Sequence, residues 1–99
     1  MLFVKIHSSY RKILAVCDAE LLGKRFEQGK MQLEVCKEFY CGELKSEKEA
    51  IKLIQEAKKE DATFNLVGNK AINAGIKAGI INKEGVLRIG GVPHALSLL

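Results

Sequence analysis

A stripe of very small residues in the last third of the chain limits its possible folds more than any other feature. Phe64, Val67, Ala71, Ala74, Gly75 and Ala78 recur at i, i+3, i+7, i+10, i+11 and i+14, which is one face of a helix. Four of these six are alanine or glycine, so a helix built on them packs closer to its neighbour than a leucine-faced helix can. Its start is open on sequence grounds. Either Thr63 is the N-cap, or Phe64 to Val67 is extended and Gly68-Asn69 opens the helix. Gly79-Ile80 fits a Schellman exit. Val86 to Ile89 then reads as a strand, Pro93 drives Val92 towards an extended conformation, and Gly90 to His94 reads as a loop.

The first two thirds supply the partners for this unit. Leu2, Val4 and Ile6 alternate with Phe3, Lys5 and His7, the period of a strand. The turn Ser8 to Arg11 joins it to a second strand at Lys12 to Cys17. Asp18 stands where it can cap one helical turn, Ala19 to Leu22, ended by Gly23. Lys24 to Glu27 and Met31 to Cys36 flank the turn Gln28-Gly29-Lys30. Met31, Leu33 and Val35 share one face of the second strand. Lys37 to Leu44 shows no period. Ser46-Glu47-Lys48-Glu49 is a capping box, followed by an apolar face of Ala50, Leu53, Ile54 and Ala57. Phe39 reads as a core residue and Tyr40 as half-exposed. The expected fold is α+β: a mostly antiparallel sheet, two principal helices and a late C-terminal strand. A helix crossover leaves parallel pairing open for that last strand.

Ninety-nine residues hold one core and not two, so the expected organisation is a single domain over residues 1–99. Lys5 interrupts the apolar start, which therefore resembles neither a signal peptide nor a membrane span. The expected location is cytoplasmic. The net charge of +4 is unevenly spread. Residues 1–44 carry +1, residues 45–62 carry zero and residues 63–99 carry +3. Excess positive charge on one unit favours a polyanionic partner.

Four constellations bear on chemistry. Cys17, Cys36 and Cys41 with His94 or His7 are zinc-ligand types, but no C-x-x-C spacing exists and Cys17 lies in an apolar strand, so no metal is expected. A cysteine nucleophile served by His94 on a Gly-rich loop would make a small enzyme or ligand-binding protein. No sequence feature pairs His94 with a particular cysteine. Gly85 to Gly90 has the spacing of a phosphate-binding loop, yet Gly91-Val92 stands where Lys-Ser/Thr is required. No cofactor is expected. Lys24, Arg25 and Lys30 place charge along a β-turn edge, Phe39 or Tyr40 is offered to a base, and Lys70, Arg88 and His94 to phosphate.

Two segments go beyond generic patterning. One runs from Leu22-Gly23-Lys24 through Phe26-Glu27 and Gly29 to Leu33, Val35, Phe39-Tyr40 and Gly42-Glu43. The other is Asn65-Leu66-Val67-Gly68 followed by Leu87 to Ala95, which contains IGGVPHA. With the opening FVKI, these segments resemble a family of small archaeal proteins of about this length whose function is unknown. The resemblance implies a cytosolic α+β protein working near translation or RNA metabolism. The functional expectation is a non-enzymatic module bound to RNA or to a ribosomal particle, through Lys24, Arg25, Lys30, Tyr40, Lys70, Arg88 and His94. The alternatives are the small enzyme with its site at Gly90 to His94, and an adaptor docking a protein partner through Leu96 to Leu99.

Overall fold

The computed structural model describes residues 1–97. Strands β1 (Leu2–His7) and β2 (Ile13–Asp18) form the expected hairpin, pairing antiparallel from Leu2 opposite Asp18 to His7 opposite Ile13. A 3-10 turn (Ala19–Leu21) follows, and Gly23 adopts φ 84° behind it. Strands β3 (Arg25–Gln28) and β4 (Met31–Glu34) make a second hairpin that forms its own two-stranded sheet. The segment without a period contains one helical turn, α1 (Lys37–Tyr40), and a three-residue edge strand, β5 (Glu43–Lys45).

Helix α2 (Glu47–Lys59) begins where the sequence places it. Ser46 Oγ accepts from the Glu49 amide at 3.2 Å, and Glu49 Oε1 accepts from the Ser46 amide at 2.9 Å. Such a reciprocal cap satisfies two donors that the first turn otherwise leaves unpaired, an effect of about 1 kcal/mol. After α2 the chain returns as β6 (Thr63–Val67), parallel to β2 and in register from Ile13 opposite Thr63 to Cys17 opposite Val67. The open question about the helix start is thereby answered. Phe64 and Val67 belong to a strand and point to opposite faces of it, and α3 (Asn69–Lys77) opens after Gly68. Helix α3 closes in a Schellman motif, with the Ile80 amide on the Gly75 carbonyl (3.1 Å), the Gly79 amide on the Ile76 carbonyl (3.0 Å) and Gly79 at φ 79°.

The chain ends in β7 (Leu87–Ile89) and β8 (Val92–Ser97), antiparallel to each other, with β8 also antiparallel to β6. The expected loop at Gly90 to His94 is therefore a tight turn and half a strand. Gly90 and Gly91, at φ 57° and 82°, carry the reversal, and His94 sits within β8. The parallel pairing left open for the last strand falls instead to β2 and β6, which the chain joins by a long connection ending in α2. The adaptor reading rested on Leu96 to Leu99. Leu96 is exposed in β8, and Leu98 and Leu99 lie outside the described residues.

The large sheet has the order β5-β1-β2-β6-β8-β7 and is covered on both faces. On one face, α2 and α3 pack Ala50, Ile54, Ala71 and Ala74 against Leu14, Val16, Phe64 and Leu66. On the other, the β3–β4 hairpin and α1 pack Leu33, Val35 and Tyr40 against Ala15, Cys17, Val67 and Ile89. Burial on both faces explains the continuous apolar run Leu14 to Cys17 in β2, where no polar alternation survives. The small-residue stripe has the expected effect. A Cβ added at Gly75 would come within 2.5 Å of Leu66 Cδ1, so α3 lies nearly in contact with the sheet.

One buried polar contact joins these layers. Asp18, at the end of β2, is 4 % exposed. The sequence reading gave it the turn at Ala19. Its carboxylate instead crosses to α3, where Oδ2 accepts from the Lys70 amide at 3.1 Å and Oδ1 from the Ala71 amide at 2.8 Å. Those amides are the second and third of the helix, the pair an N-cap side chain normally serves. The N-cap here is Gly68, which has no side chain, so the acceptor comes from 52 residues earlier. Gly68 is held at φ 106°, and a Cβ there would lie 2.3 Å from the Asp18 Cγ. Gly68→Ala should therefore lose roughly 3 kcal/mol or more, through backbone strain and collision with the carboxylate. Gly79→Ala, strained but in open space, should lose about 1 kcal/mol. Urea unfolding of both variants checks the difference.

Candidate functional site

The sequence-predicted contact residues fall into separate groups. Lys24, Arg25 and Lys30 lie exposed on the β3–β4 side. Arg25 is already occupied there, 3.1 Å from Glu27 and 3.7 Å from Glu34. Tyr40 is 3 % exposed and Phe39 only half-buried, the reverse of the expected order. A ring that deep offers no face for a base to stack on. Arg88 and His94 also separate. Arg88 lies opposite Pro93 and Leu87 opposite His94, so the two-residue period of the strands sends Arg88 to the helix face and His94 to the hairpin face. Lys70 is exposed in the first turn of α3.

On the hairpin face, Tyr40 and His94 meet through Asn65, which the sequence marks only as part of the Asn65–Gly68 segment and not as a site residue. The Tyr40 hydroxyl donates to Asn65 Oδ1 at 2.6 Å, and His94 Nε2 lies 3.1 Å from the same oxygen. A carboxamide oxygen can only accept, so His94 is placed as the Nε2–H tautomer. Burial pushes the Tyr40 hydroxyl above its usual range and holds His94 below its ordinary value. Burial thus favours the neutral ring, which donates through Nε2–H. Nearby, the His7 ring stacks on Phe39 with centroids 4.5 Å apart, and His7 Nε2 lies 2.8 Å from the Phe39 carbonyl. Cys17 is fully buried under the hairpin, where desolvation pushes its thiol up to about 12 and removes its nucleophile. Both donors of the trio are spent on one amide oxygen, an arrangement that ties α1 to β6 and β8.

The helix face carries a different site. An open cleft of about 380 Å³ lies between α3 and β7. Asn69 and Asn73, one helical turn apart, project from α3 on one side. Lys83, in a 3-10 turn (Lys83–Gly85), and Arg88, on β7, line the other. Ile72, Ile76, Val86 and Pro93 supply the apolar surface between them. Lys77 is paired with Glu47 at 2.7 Å, whereas among the described residues neither Lys83 nor Arg88 has a carboxylate within 4.0 Å. The Arg88 guanidinium is turned by the hairpin, Nη1 reaching the Gly91 carbonyl at 3.4 Å. The helix N-terminus itself is not free to bind an anion, because Asp18 already occupies the Lys70 and Ala71 amides. The sequence reading found Arg88 but not Asn69, Asn73 or Lys83. The available signal was the asparagine pair at i, i+4 on the polar side of the stripe, with a lysine just past the helix exit.

The matches to known proteins agree with this architecture. The family described as "Protein of unknown function (DUF424)" matches residues 6–98. The chain belongs to that family. A solved structure described as an uncharacterized conserved protein from Methanopyrus kandleri is similar at 29 % identity and TM-score 0.87, covering 96 % of this chain and 88 % of that one. No curated protein matches the sequence. No helix among the described residues is long and apolar enough to cross a membrane.

The depressed value of His94 sets a sign for its effect on stability. The folded state favours the neutral ring more than the unfolded chain does. The resulting stabilisation is fully present above pH 6.5 and is lost as the pH falls through the lower folded value. Compared with the wild type, His94→Gln should be less stable at pH 8, by about the 1 kcal/mol of a hydrogen bond. That deficit should shrink as the pH falls below 6.5. Thermal melts of the two proteins at pH 8 and in this acid range measure the change.

Proposed function

We propose that this protein is a non-enzymatic module that associates with RNA or with a ribosomal particle, acting in translation or RNA metabolism. The α3–β7 cleft carries this reading. It offers two cations without carboxylate partners among the described residues, Lys83 and Arg88, beside neutral carboxamides and an apolar wall. Lys70, exposed in the first turn of α3 outside the cleft lining, adds a third cation. Residues 63–99 hold the chain's excess charge of +3, so the cleft lies in its most cationic segment. A phosphate backbone gains from such a surface mainly by releasing counterions, which makes association salt-dependent. Single-stranded RNA fits better than duplex, since a cleft of this size admits an unstacked nucleotide and not a helix. A cytoplasmic location is consistent with this reading.

The test is fluorescence anisotropy with single-stranded RNA across a salt series. Binding should weaken steeply with salt, and Lys83→Glu with Arg88→Glu should cost about tenfold or more at low salt. Each lost phosphate contact lowers the log–log salt slope by about 0.7, so neutralising two contacts should lower it by about 1.4. Arg25→Ala, at a residue already paired with Glu27 and Glu34, should change little. RNA binding that is absent, or indifferent to salt, contradicts the proposal.

A further inference from the structure

We infer that the α3–β7 cleft is a subsite for one nucleotide, holding its phosphate on Lys83 and Arg88 and reading its base edge with Asn69 and Asn73. This deepens the RNA reading and rests on it. Charge alone would ask only for lysines on a convex surface. The cleft also contains chemistry for which a phosphate has no use. Asn69 and Asn73 each present an acceptor and two donors, the complement of a nucleobase edge that carries both kinds of group. They stand at i, i+4, so their Cβ atoms are about 5–6 Å apart, a spacing that suits one planar heterocycle.

Ile72 and Ile76 on the helix, with Val86 across the cleft, give the ring apolar surface on either side. Small-molecule sites run from about 300 to 1,000 Å³, and a cleft of about 380 Å³ takes one nucleotide rather than a stack of several. The Arg88 guanidinium reaches the Gly91 carbonyl at 3.4 Å through Nη1 alone, which leaves its other N–H groups for a phosphate. Asp18 reinforces the polarity of the site. By filling the amides at the start of α3, it leaves the cations across the cleft as the anion's place. The base consequently lies on the helix side and the phosphate on the β7 side.

The experiment is calorimetric titration of the full chain with the four nucleoside 5′-monophosphates and with ribose 5-phosphate, alongside single-stranded RNA by anisotropy. At least one nucleotide should bind about tenfold or more tightly than ribose 5-phosphate. Asn69→Ala with Asn73→Ala should abolish that preference while leaving ribose 5-phosphate binding unchanged. Both positions are exposed on a helix where alanine is well tolerated, and circular dichroism confirms that the variant folds. Lys83→Ala with Arg88→Ala should weaken both ligands. Equal binding of nucleotide and ribose 5-phosphate, or a preference that survives the asparagine substitutions, overturns the subsite. If RNA still binds in that case, the RNA reading stands without it. A nucleotide preference with no binding of RNA overturns the RNA reading and leaves the subsite serving a free nucleotide. Binding of neither ligand overturns both.

Discussion

The Asp18 carboxylate, taken out of water and held by two helix amides, is the contact on which the rest of this structure depends. Burial raises its pKa, and the bonds from Ala71 and Lys70 act in the opposite direction. A buried carboxyl is costly unless hydrogen-bonded, and here both oxygens are used. The contact fixes three elements together: the end of β2, the Gly68 corner after β6, and the first turn of α3. It also requires that no side chain stand at Gly68, since any Cβ there would fall on the carboxylate. The parallel β2–β6 pair brings the two ends close enough for this to happen. The β-α-β crossover and the cap are thus mutually dependent.

From that corner the two faces of the sheet diverge in character. On the hairpin side, polar groups are internal and spent on one another. Tyr40 and His94 share Asn65, His7 stacks on Phe39, and Cys17 is buried as an inert thiol. On the helix side, α3 is held against the sheet by Gly75 and the alanines, and it presents Asn69 and Asn73 across a cleft from Lys83 and Arg88. The close approach of α3 and its capped start together set where those two asparagines stand. A fold-stabilising contact therefore positions groups that the same helix leaves available to a ligand.

What the sequence made legible was local. The capping box at Ser46, the Schellman exit at Gly79 and the glycine turn at Gly29 each depend on neighbours within a few residues, and each forms where expected. The α+β class followed from their order. Less visible were features settled by distant partners. Asp18 resembled a local cap because its acceptors are matched only 52 residues later. Phe64 and Val67 continued the helical stripe by spacing alone, although the sheet takes both into a strand. One turn of helix at Lys37 and three residues of strand at Glu43 are too short to show a period. Tyr40 looks half-exposed from sequence because neither α1 nor its hydroxyl's partner, Asn65, shows in the local pattern. Of the cleft, only Arg88 was legible, since the approach of α3 to β7 arises from tertiary packing.

Native-state amide hydrogen exchange at Lys70 and Ala71 tests the central contact most directly. First-turn amides with no acceptor exchange rapidly, whereas amides bonded to a buried carboxylate open only with the surrounding structure. Protection of both amides close to that of the β2 and β6 amides, lost in Asp18→Ala, is the predicted result. Rapid exchange at these two positions in the wild type would mean that Asp18 does not hold α3, contradicting the account of how the cleft is placed.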